Sequence, residues 1–139
     1  MEPFALSTLR ALGVDGSRFT ARELLAEHVA GAELVLAATR EHRAAAVVLQ
    51  PRAARRTFTL REFDRLLSGI DGSALPTGDR VERAKAVVLA AAGQRGIVRP
   101  DRPEDDDVTD PYQGPESGFS TCGDLIRATL QRPLDLLAG

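Results

Sequence analysis

Asp110 is the carboxylate in this sequence best placed to do chemistry, because Pro111 follows it and Tyr112 follows that. A residue before proline is pushed out of helical conformations, so Asp110 is expected on an extended loop from which its carboxyl can exchange a proton with a group arriving from the side. A lone carboxylate moves protons; it does not supply an attacking group. A thiolate in a C-x5-R loop, where arginine and backbone N–H groups could hold an anion, would supply one, and the sequence has no such loop. Its single cysteine, Cys122, would need arginine at position 128, where Ala128 stands, and Arg127 is one residue short. Cys122 is therefore expected as a core residue on an apolar helix face. Without a partner, an aspartate before proline is more often a turn former.

The other candidates are weaker. Arg40 and Arg43 follow a short apolar run and could meet a substrate anion. His42, in a first helical turn, and His28 lack an evident orienting carboxylate and are expected as surface groups. The acidic run Glu104-Asp105-Asp106-Asp107 has neither the turn glycine nor the distal glutamate of a calcium loop, and is expected to be solvated. Two histidines and one cysteine cannot build a zinc cage, and no metal or other cofactor is called for.

Composition limits the partners. The 18 basic and 20 acidic residues nearly cancel and the arginines are dispersed, so neither nucleic acid nor a membrane surface is an expected partner. No stretch approaches the roughly 20 apolar residues of a membrane span, the start lacks a secretory pattern, and one cysteine suits a reducing compartment. A cytoplasmic chain of 139 residues forming one domain, over residues 1–139, is expected.

The elements that must position these residues alternate. Pro3 to Leu12 reads as a helix stopped by Gly13. Glu33 to Ala38 is apolar on both alternating faces, as a buried parallel strand is, and Thr39 caps a helix that ends at Pro51. Arg56 to Leu60 reads as a second strand, and Thr59 with Glu62 has capping-box spacing for the helix carrying Phe63, Leu66 and Leu67. A helix over about 79–92 should bury Val81, Ala84, Val88 and Ala91. A final helix over about 117–131 should bury Phe119, Cys122, Ile126 and Leu130 before Pro133 breaks or kinks it. Between the last two lies a loop, Val98 to Asp110. Two parallel strands leave backbone edges unprotected, so either a strand is missing or a partner supplies one.

Five blocks in order carry a resemblance: Glu2-Pro3 opening a helix that ends in Leu12-Gly13-Val14; Phe19-Thr20-Ala21-Arg22-Glu23-Leu24; Gly31 to Leu36 running into Thr39-Arg40-Glu41-His42-Arg43; Arg56 to Phe63; and Val108 to Tyr112. Together they resemble the low-molecular-weight protein tyrosine phosphatases. The resemblance implies a partial three-layer α/β fold, a parallel sheet flanked by helices, lacking the family's first two strands and the C-x5-R loop between them. It implies that Asp110 protonates the leaving phenolic oxygen and then deprotonates the hydrolytic water, and that Tyr112 contacts the substrate ring. Gln113 replaces the second aromatic of many members. The expected substrate is a phosphotyrosine protein or a small aryl phosphate once the phosphate loop is restored. Met1 falls where the family often has an internal methionine, so a start too far downstream, or a shortened gene, is expected. The alternative is a non-catalytic relative that associates with itself or another chain through its open strand edge. Arsenate reductases of this fold need further cysteines, which this chain lacks.

Overall fold

A computed structural model describes all 139 residues. Its first helix, α1 (Pro3–Ala11), starts where the Glu2 carboxylate accepts the Ala5 N–H at 3.0 Å and Pro3 fills the first position. A short helix, α2 (Ala26–Ala30), precedes strand β1 (Val35–Ala37). Helix α3 (Arg40–Leu49) begins where Thr39 Oγ1 accepts the His42 N–H at 3.2 Å. A 3-10 turn over Pro51–Arg56 leads into strand β2 (Thr57–Thr59). The strands pair in parallel, with Val35 opposite Thr57 and Ala37 opposite Thr59. The chain is therefore a mixed α/β fold around a two-stranded parallel sheet.

Helix α4 (Leu60–Leu66) opens on a reciprocal cap: Thr59 Oγ1 accepts the Glu62 N–H at 3.0 Å and the Glu62 carboxylate accepts the Thr59 N–H at 3.2 Å. Helix α5 (Arg80–Gly93) is capped by Asp79, and α6 (Glu116–Ala138) closes the chain. No helix is long and apolar enough to cross a membrane.

Two apolar clusters lie on opposite sides of the sheet. Phe58, Phe63, Leu66, Leu67, Val87, Val88 and Ala91 form the larger, with Leu34 against it; Val29, Ala46 and Ala53 form the smaller, with Val35 against it. Adjacent residues serving different clusters is the period-two alternation of a strand. All three residues of β2 are buried, whereas β1 is half-buried and Leu36 is 38% exposed. The strand expected to be covered on both faces is thus short and partly open on the face that carries Leu36. Beside β2, Arg95 stacks 4.3 Å from the Phe58 ring centroid and donates to the Thr57 and Ala54 carbonyls. Arg95 and Arg43 also flank the buried Glu62 carboxylate, at 3.3 and 2.8 Å.

Two helical expectations need correction. The buried face of α5 is Arg83, Val87, Val88 and Ala91, and Val81 is exposed. The Arg83 guanidinium turns that face by donating to the Leu136, Pro76 and Gly72 carbonyls. Helix α6 also runs through Pro133 to Ala138 instead of breaking there. Pro133 is buried, and Leu136 and Leu137 pack on the main core, a gain that offsets the lost backbone bond.

At the other end of α6, α1 crosses at Gly123, and the Phe4 and Phe119 rings meet with centroids 5.8 Å apart. A Cβ at Gly123 would stand 2.6 Å from Thr8 Cγ2 and 3.3 Å from Leu12 Cδ1. Gly123→Val should therefore cost about 1–3 kcal/mol through overpacking. Amide exchange should rise across Thr8 to Leu12 and stay constant at Phe63 to Leu67; unchanged exchange in α1 would refute the close crossing.

Candidate functional site

The segment from Asp106 to Gly114 passes the carboxyl end of β1. Its attachment point is the Val108 N–H, which donates to the Ala38 carbonyl at 2.9 Å, one residue beyond the strand. Ligands in open parallel sheets sit outside the carboxyl ends of strands, so this loop stands on the rim where such a site forms.

The acidic run before it is not simply solvated. A 3-10 turn over Pro103–Asp106 aims two of its carboxylates inward: Asp106 pairs with Arg65, and Asp107 with Arg40. The Asp107 carboxylate accepts the Arg40 backbone N–H at 2.8 Å, Arg40 Nε at 3.2 and 3.3 Å, and Arg40 Nη2 at 3.1 Å. The Asp107 carbonyl accepts Arg61 Nη1 at 3.1 Å. Arginines from the first turn of α3 and from α4 thus fix Asp106 and Asp107, and the Ala38 carbonyl holds Val108 beside them. Spacing along the sequence could not reveal this, since the partners are separated by up to 67 residues.

Beyond this anchor the chain is free. Asp110 is exposed, and its Oδ1 accepts the Tyr112 N–H at 2.9 Å, the turn expected of an aspartate before proline. The Pro111 carbonyl accepts the Gly114 N–H at 2.8 Å, and Gln113 adopts φ 62°, closing a tight turn. A Cβ on Gly114 would meet the Pro111 carbonyl oxygen at 2.9 Å, so glycine suits this position. Tyr112 is 64% exposed. Asp110, Pro111 and Tyr112 form the lip of an open groove of about 810 Å³ between α1 and α6, floored by apolar side chains such as Leu9, Phe119 and Ile126.

Cys122 lines the same groove, half-buried rather than in the core. Burial, and secondarily the charge of Asp110, push its thiol above the usual value, the opposite of what a nucleophile needs. Ile126 and Leu130 are likewise half-buried groove residues. Arg40, the candidate for substrate anions, has its guanidinium engaged by Asp107, and Arg43 has its own engaged by Glu62. His28 Nδ1 accepts the Leu25 N–H at 3.1 Å, and His42 is exposed in the first turn of α3. No group of three or more His, Cys, Asp or Glu residues is disposed to hold a metal ion. The arrangement offers a positioned, solvent-facing carboxylate and an aromatic ring at the sheet rim.

The chain is therefore a small α/β protein whose parallel strands end beside a carboxylate-bearing loop. Comparison with protein-family models, with curated proteins and with solved structures found no match.

The anchor responds to pH. Hydrogen bonds from the Arg40 side chain and then its backbone, opposed by slight desolvation and aided by the Arg40 and Arg43 charges, hold the Asp107 carboxyl below its ordinary range. A depressed carboxyl contributes stability that is present above its unfolded pKa and is lost as pH falls through the folded one. The anchor should therefore be intact at neutral pH and should release only below the ordinary aspartate value of about 3.9. The Val108 amide resonance, followed by NMR, should shift with a midpoint under that value. A midpoint between 5 and 7, on the order of the histidine range, would contradict the assignment.

Proposed function

We propose that this chain is the proton-donor side of a low-molecular-weight protein tyrosine phosphatase site, competent once a strand ending in a C-x5-R loop pairs with β1. The supporting observation is the Val108 to Ala38 bond, which ties the loop that carries the exposed Asp110 to the chain just past the carboxyl end of β1, a strand with one neighbour. A parallel strand added along β1 would end on the side of the sheet where Val108 is bonded.

In the completed site the thiolate of the added loop attacks phosphorus and the phenolic oxygen leaves. Asp110 gives its proton to that oxygen, then takes one from the water that cleaves the phosphocysteine. Backbone N–H groups and the arginine of the added loop bind the phosphate oxygens. Tyr112 flanks the ring of a phosphotyrosine or other aryl phosphate, and no cofactor takes part. The test is hydrolysis of an aryl phosphate by the protein extended upstream of Met1 in frame, with and without Asp110→Asn; no activity in the extended protein would overturn the reading.

A second reading is a non-catalytic module that binds through β1. It is favoured by the raised Cys122 thiol, the absence of any other sulfur nucleophile and the exposure of Leu36. A stop codon immediately upstream of Met1 in frame would favour it over the first.

A further inference from the structure

We infer that Asp107 and Arg40 are positioning residues, which hold the Asp110 loop at the sheet rim, and that Arg40 does not bind the substrate anion. The inference rests on the phosphatase reading for the role of Asp110, and on observed geometry for the rest. Two oxygens of one carboxylate accept four hydrogen-bond contacts from Arg40, including its backbone N–H at the start of α3. That geometry uses the fork of the guanidinium on one side and the helix terminus on the other, so it fixes direction as well as distance.

The loop needs such a fixture. Between Val108 and the start of α6 its backbone bonds are the local turn contacts at Tyr112 and Gly114, with Pro111 resting 3.6 Å from where a Gly118 Cβ would be. A carboxylate that must meet an oxygen at hydrogen-bond distance loses effect when displaced by about 1 Å. Asp107 is gripped twice, its side-chain carboxylate by Arg40 and its backbone carbonyl by Arg61, and Asp110 lies three residues further on. An arginine reserved for substrate phosphate would instead keep its fork free.

The chain itself suffices for the test. In Asp107→Asn and in Arg40→Met, exchange of the Val108 amide should rise about tenfold, the loss expected for a charge-assisted pair discounted for its partial exposure. The double variant should rise no further than either single one, because both remove the same interaction. Asp105→Asn should leave Val108 unchanged. Emission of Tyr112, the sole tyrosine in a chain without tryptophan, should change in the two anchor variants while the melting temperature falls only slightly, as the loss of one partly exposed ion pair requires. Titration with inorganic phosphate should leave the Arg40 Nε resonance in place. Val108 exchange within twofold of the parent in both single variants, or a saturable shift of Arg40 with phosphate, overturns the inference. A rise in Val108 exchange without aryl phosphate hydrolysis by the upstream-extended protein would overturn the phosphatase reading and leave the anchor standing.

Discussion

Leu36→Lys should convert an associating chain into a monomer. The parent is expected to sediment above its 14.9 kDa mass, because the β1 backbone bonds to β2 alone and presents an unpaired edge. Leu36, in the middle of that strand, is 38% exposed. Burying a leucine in a strand-to-strand contact contributes about 1.5–3 kcal/mol, and an ammonium at the same place would have to be desolvated, so the dissociation constant should rise about a hundredfold. Lysine on an edge strand is also the device that natural sheets use against such pairing. Val48→Lys provides the control. Val48 is the most exposed of the large apolar residues at 79%, yet it lies on α3 away from the strand edge, and its substitution should leave association unchanged. A compact, cooperatively melting monomer of the parent chain would contradict this expectation.

The second large effect concerns the proton. In the protein extended upstream in frame, Asp110→Asn should lower kcat for phenyl phosphate by about 10²–10⁴, the span of general acid catalysis. The loss should shrink for a nitrophenyl leaving group, which departs as an anion with less need of a proton. KM should change little, since Asp110 acts on the leaving oxygen rather than on the bound phosphate. Equal losses in kcat/KM for both leaving groups, a ratio that reports the departure of the phenolic oxygen and not the later hydrolysis of the phosphocysteine, would remove Asp110 from the role of acid. Tyr112→Ala should show the converse pattern, a raised KM with kcat nearly constant, because its exposed ring can contribute apolar contact and no proton.

Local rules made much of the fold legible. Thr39 and the Thr59–Glu62 pair cap the helices that their spacing indicates, because each cap is decided within three residues. Strands at β1 and β2, and Phe63, Leu66 and Leu67 in the core, follow from short apolar periodicity. Long-range contacts decided the rest. Pro133 stays helical since burial of the turn beyond it outweighs one lost bond, and α5 is rotated because Arg83 finds carbonyls on α6 and in the loop before α5. The anchor at Asp107 was illegible for the same reason: an acidic run looks solvated until the arginines opposite it are known. The turn at Asp110 was legible, because proline fixes the conformation before it; the neighbourhood of that turn was not, because it depends on the long-range bond from Val108 to Ala38.

Hydrolysis of an aryl phosphate, assayed side by side for the 139 residues and for the protein extended upstream in frame, tests the central claim most directly. The expected result is turnover by the longer protein alone, since the attacking sulfur and its anion cradle are not among these residues. Turnover by the 139 residues unaided would contradict it.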